Sequence, residues 1–149
     1  MKAKCFLRQI EKLDRMIKNK VVEQEQWRSI AMGTTAPMGG ERVQSSGSKQ
    51  KMADAVERFV EIEKEINKSI DILVDTKNDV ISVIEQLKTI EYDILHKLYV
   101  QYMSLYDVAD IYDKSYSWVT TIHGRALKNV QRILDQREKE EVKELDIAN

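Results

Sequence analysis

The residues whose types and spacing can do chemistry gather in the last third of the chain. From Ser115 to Leu134 the only charged side chains, histidine aside, are Arg125, Lys128 and Arg132, while Asp and Glu are frequent on both flanks. A stretch free of carboxylates inside a chain of formal net charge −1 is what local docking on a phosphate backbone requires. The same stretch opens on hydroxyls, at Ser115, Tyr116, Ser117, Thr120 and Thr121, with Lys114 just before them. Hydroxyls at the leading end of a helix can hydrogen-bond base edges or phosphates, and threonine methyls can touch the methyl of thymine. The chemistry implied is recognition of double-stranded DNA.

Bond-making chemistry finds no comparable set. His96 and His123 are the only histidines, on different predicted helices and without a second ligand at metal spacing. Cys5, the single cysteine, lies near a chain end with no placed base or cation, which argues against a nucleophile and rules out an internal disulfide. Glu61, Glu63 and Glu65 alternate around a helix and read as a solvated face. No catalytic constellation, cofactor or metal is expected, and the chain is not read as an enzyme.

A helix-turn-helix is the element that must hold the hydroxyls in place. Ser104-Leu-Tyr-Asp107 is a capping-box pattern that starts a short helix ending near Tyr112. Asp113-Lys114-Ser115 forms the turn, and a second helix runs from Tyr116 to about Gln136 with Ser115 as its cap. Val108, Ala109 and Tyr112 from the first helix meet Val119 and Ile122 from the second, with Ala109 supplying the small residue at the crossing. That core turns Tyr116, Ser117, Thr120 and Thr121 outward as the reading face. Lys114 and Arg125 fall where phosphates run, and Lys128 completes the DNA-binding set. For Trp118 two readings stay open, contact with the DNA or packing on the neighbouring helix. The tyrosine cluster, Tyr92 to Tyr116, reads mainly as core and rim of a small domain.

Everything before this motif predicts long helices, because four of the five glycines and the one proline are confined to one short stretch. Apolar residues at Phe6, Ile10, Leu13, Ile17 and Trp27, with Lys20 and Gln24 between, predict a helix over 3–30. A loop follows over 32–48. Ser46 or Ser48 caps the next helix, 49–88, with a seam of Met52, Val56, Phe59, Glu63, Ile66, Ile70, Leu73, Lys77, Val80, Ile84 and Leu87. The two helices are expected to pair as an antiparallel hairpin. Val74, Ile81 and Val83 widen the stripe where the C-terminal helices should fold back, and Val60 and Ile62, off the seam, point to self-association as a homodimer. Thr89 is the expected cap of the helix through Ile94, Leu95, Leu98, Tyr99 and Tyr102.

The reading is therefore all-α: a helical hairpin over 1–88 for oligomerisation or partner binding, a three-helix DNA-binding domain over 89–136, and a charged, frayed tail over 137–149. Charge interleaved through the first seventeen residues and the lack of any run of ~20 apolar residues argue against export or a membrane span, and a cytoplasmic address is expected.

From about Val80 to Leu134 the chain resembles region four of bacterial sigma factors. Glu91-Tyr-Asp-Ile-Leu95 matches the helix before the motif, Ser104-Leu-Tyr-Asp-Val-Ala109 the first motif helix, and Ser115 through Leu127 the recognition helix. Over most of its length it is similar to the sigma-like phage and prophage regulators of Gram-positive bacteria grouped with the ArpU and RinA late-gene activators. Leu7-Arg-Gln-Ile-Glu-Lys-Leu-Asp14, Arg42-Val-Gln-Ser-Ser-Gly47 followed by Lys51-Met-Ala-Asp-Ala55, and His123-Gly-Arg-Ala-Leu127 carry that likeness. The turn departs from the sigma pattern, with Asp113 and Lys114 in place of glycine and an apolar residue, and Tyr116, Ser117 and Trp118 replace charged base-reading side chains. The resemblance implies a regulator acting at phage late promoters and a contact with RNA polymerase. The alternative is a helical adaptor or an assembly component resembling small terminase subunits.

Overall fold

The computed structural model describes residues 1–33 and 46–149, so most of the expected loop and the Arg42 to Ser45 part of its motif lie outside the described residues. The described chain is all-α, with no strand among the described residues. Helix α1 is Ala3–Ala31, α2 is Ser46–Ile84, α3 is Thr89–Leu95, α4 is Leu105–Tyr112 and α5 is Tyr116–Ala148; a π-helical turn, His96–Val100, continues α3. Gly33, at φ +67°, ends the turn after α1 in the left-handed region that a side chain rarely adopts. No helix of the described residues is long and apolar enough to cross a membrane.

The chain divides into two compact units, Leu13–Leu73 and Met1–Lys12 with Val74–Asn149. This differs from a division at residue 88, because the first residues of α1 belong with the C-terminal helices.

Within Leu13–Leu73, Lys20 Nζ lies 2.9 Å from Glu65 Oε2, and Arg58 Nη2 lies 3.5 Å from Glu23 Oε1. As position rises along α1 it falls along α2, so the two helices run antiparallel here. Leu13, Ile17, Lys20, Gln24 and Trp27 of α1 are all half-buried. On α2 the buried stripe is Ala55, Ile62 and Ile66, with Phe59 and Leu73 half-buried. That corrects the expected seam at alternate positions: Ala55 replaces Met52 and Val56, and Ile62 replaces Glu63. Both stripes have the same period and share Phe59, Ile66 and Leu73, so periodicity alone does not separate them. Rotation by one residue inserts Ile62 and keeps the Glu63 charge in water, where burial without a partner would be costly. Met52, Val56, Val60, Ile70 and Ile72 are left exposed.

In the other unit, Ala3, Phe6, Leu7 and Ile10 of α1, Val80, Val83 and Ile84 of α2, and Leu95, Val130 and Leu134 are buried. Val74, expected to be covered here, is exposed. α2 starts at Ser46, inside the expected loop, so Ser46 and Ser48 are helical residues and not its cap. It stops at Ile84, short of Lys88, as the Gln86 N–H turns back to the Val83 carbonyl at 3.2 Å and the Leu87 N–H to the Ile84 carbonyl at 3.1 Å. Thr89 does not cap α3. It is the first helical residue, and the cap position is Lys88, which offers no side-chain acceptor. The expected frayed tail is also corrected, since α5 continues to Ala148 and Arg137 Nη1 lies 2.8 Å from Asp79 Oδ1. No Gly or Pro follows Gly124 to stop the helix, and the charged residues after Arg137 are solvated on all sides.

Candidate nucleic-acid interface

The motif begins with two well-formed caps. Ser104 Oγ accepts from the Asp107 N–H at 3.1 Å, and the Asp107 carboxylate accepts from the Ser104 N–H at 3.4 Å, which closes the capping box of α4. Ser115 Oγ accepts from the Trp118 N–H at 3.1 Å and starts α5. Between them Asp113 stands at φ 50° and ψ 47°, and its N–H and that of Lys114 turn back to the carbonyls of Asp110 and Ala109 at 3.1 and 3.0 Å. Aspartate takes the left-handed position that glycine fills in the sigma pattern; it is one of the few L residues that do so at modest cost.

Val108, Ala109, Val119 and Ile122 form one buried cluster with Ile94 of α3, and Tyr112 and Trp118 pack against it half-buried. Trp118 lies 5.5 Å from the Tyr112 ring, and Lys114 Nζ sits 5.8 Å above the Trp118 ring. Packing thus accounts for one face of Trp118 and also positions Lys114.

Opposite this cluster, residues three and four apart along α5 make one exposed stripe of Ser117, Thr121, Gly124 and Lys128. Arg125 lies beside it on the Trp118 flank, exposed like Lys128, and neither forms an ion pair among the described residues. Thr120, half-buried, and His123 lie on the other flank. The hydroxyls of Thr120 and Thr121 both donate to the Ser117 carbonyl, at 2.9 and 2.8 Å. Their protons are engaged, so each presents lone pairs outward and acts as an acceptor. Tyr116 is set back from the stripe, stacked on Tyr106 at 4.6 Å with both rings exposed. These two tyrosines, with Tyr102, lie outside the core, whereas Tyr99 is buried.

Three features have structural settings that the sequence does not reveal. Glu91 is almost wholly buried, and the Asn129 side-chain N–H group donates to both its oxygens, at 3.1 and 3.0 Å. The available signal was Asn129 itself, a polar residue next to Val130 and one turn from Ala126 on the inward stripe of α5. Gly124 lies in the middle of the exposed stripe, where an added Cβ would meet nothing within 4 Å. His123 shares a 2.8 Å hydrogen bond with the Tyr99 hydroxyl. Burial lowers the imidazole pKa, and Lys4 and then Arg8 push it the same way; burial raises that of Tyr99.

Among the described residues no group of three or more His, Cys, Asp or Glu is placed to hold a metal ion. Comparison with models of known protein families, with curated proteins and with solved structures gives no match.

Proposed function

We propose that this chain is a DNA-binding transcriptional regulator of phage or prophage genes, a late-gene activator resembling sigma region four, with the first turns of α5 in the major groove. The observation that carries the reading is the exposed stripe of Ser117, Thr121, Gly124 and Lys128, held out by the buried α4–α5 core on a stretch without a carboxylate. A helix in the groove must present small or hydrogen-bonding groups to base edges and keep acids away from both phosphate strands. This stripe presents such groups and carries no acid of its own. Gly124 lets the helix backbone approach closely, and Lys114 and Arg125 set the register on one phosphate strand.

Two partners belong to the same reading. Met52, Val56, Val60 and Ile70, exposed along one side of α2 in Leu13–Leu73, support a homodimer through that unit, while Ile62, expected to take part in pairing, is buried within the unit. RNA polymerase is the second partner, implied by the sigma-like plan.

The test is selection of duplex DNA from a random library by the full-length protein, followed by affinity measurements. Arg125→Ala should weaken binding across sequences, whereas Thr121→Ala should change the preference between sites by about 1–3 kcal/mol. A folded protein that enriches no duplex at low salt contradicts the reading.

A further inference from the structure

Resting on the DNA-binding reading, the geometry points to a second phosphate-binding edge built by α1, in which Lys4 and Arg8 hold the DNA strand on the flank of α5 opposite Arg125. The first turns of α1 are fastened to α5. The Ala3 N–H donates to Gln131 Oε1 at 2.7 Å, and Gln131 Nε2 donates to the Met1 carbonyl at 3.1 Å. Ala3, Phe6, Leu7 and Ile10 are buried beneath, which leaves Lys4 and Arg8, one turn apart, exposed along the edge. There they line a cleft of about 200 Å³ with Tyr99 and His123.

The position of His123 gives the cleft its meaning. It lies three residues from Thr120, on the flank of the reading stripe away from Trp118 and Arg125. A helix in the major groove is bordered by two phosphate strands, one on each side. Lys114 and Arg125 face one of them, and α5 itself offers no cation toward the other until Lys128, on the stripe itself. Lys4 and Arg8 fill that place from another helix. Neither cation forms an ion pair among the described residues, so both are free to take up phosphate. Glu11, another turn along α1, also lines the cleft, and the edge carries two cations against this one carboxylate. Affinity then depends on α1 as well as on the motif.

The experiment compares full-length wild type with Lys4→Gln/Arg8→Gln, using a fluorescent duplex of mixed sequence across a salt series. Loss of two phosphate contacts should make the slope of log affinity against log salt shallower by about 2. A control pair, Lys139→Gln/Lys143→Gln, removes the same charge about three to four turns beyond Lys128 on α5 and should leave the slope within about half a unit of wild type. Glu11→Gln should tighten binding, which gives a reading of opposite sign if the double variant is poorly folded. Wild type that binds with a slope unchanged in Lys4→Gln/Arg8→Gln, or a control pair that lowers it equally, overturns the α1 edge and leaves the DNA reading standing. A folded wild type that does not bind the duplex at all overturns both.

Discussion

Gly124 shows how much one residue on α5 can separate stability from function. Glycine within a helix costs roughly 0.5–1 kcal/mol relative to alanine, and nothing near Gly124 would collide with a methyl group. Gly124→Ala should therefore raise the melting temperature while weakening DNA binding, because the methyl stands on the groove face. A thermal melt paired with a binding titration checks both, and an unchanged affinity would remove Gly124 from the interface. Thr121 makes a chemical prediction. Its hydroxyl proton is engaged by the Ser117 carbonyl, so it can accept from the amino groups of adenine or cytosine and has nothing to donate to guanine. Selected sites should carry adenine or cytosine at the position that Thr121→Ala relaxes. His123 and Tyr99 add a dependence on pH. The imidazole pKa is lowered by burial, then by Lys4 and Arg8, so below its unfolded value of about 6.5 the unfolded chain binds the extra proton and stability falls. The phenol pKa is raised by burial, so stability falls again above about 10, where the unfolded phenol ionises first. Denaturant midpoints across pH should show both losses, and His123→Gln should flatten the acid one.

At the scale of elements, the α4–α5 motif was legible because local rules define it. Ser104 with Asp107 and Ser115 before Trp118 are side chains whose cap bonds reach only three residues, so sequence order is enough to place them. The α2 stripe was less legible because two heptad seams overlap on Phe59, Ile66 and Leu73. The choice between Ile62 and Glu63 is made by packing in three dimensions. Glu91 stands in the first turn of α3, where an acid suits the helix dipole, yet its burial depends on Asn129, thirty-eight residues away. The pair predicts an asymmetric mutational response. Asn129→Leu should cost about 1–3 kcal/mol or more, since it strips the side-chain donor from a buried carboxylate. Glu91→Leu with Asn129→Leu should recover much of that loss, because no buried charge remains. Chemical denaturation of wild type, Asn129→Leu and the double variant measures the recovery, and equal losses in the single and double variants would show that the hydrogen bond is not the source.

For the whole molecule, the proposed function assigns DNA reading to α5 and pairing to Leu13–Leu73. The α5 stripe lacks acids and is flanked by cations, while Leu13–Leu73 exposes an apolar face of Met52, Val56, Val60 and Ile70 on α2. Sedimentation at micromolar concentration should find a dimer that Val56→Glu/Ile70→Glu converts to a monomer. A wild-type monomer would leave that apolar face without this role. The most direct test of the central claim is a fluorescence anisotropy titration of full-length protein into duplex DNA, repeated from about 50 to 200 mM salt, the range over which phosphate-dependent binding changes most visibly. The account predicts saturable binding whose log affinity falls linearly with log salt and weakens in Arg125→Ala. A folded protein that leaves the duplex unbound at the lowest salt, or binds it with no dependence on salt, would contradict it.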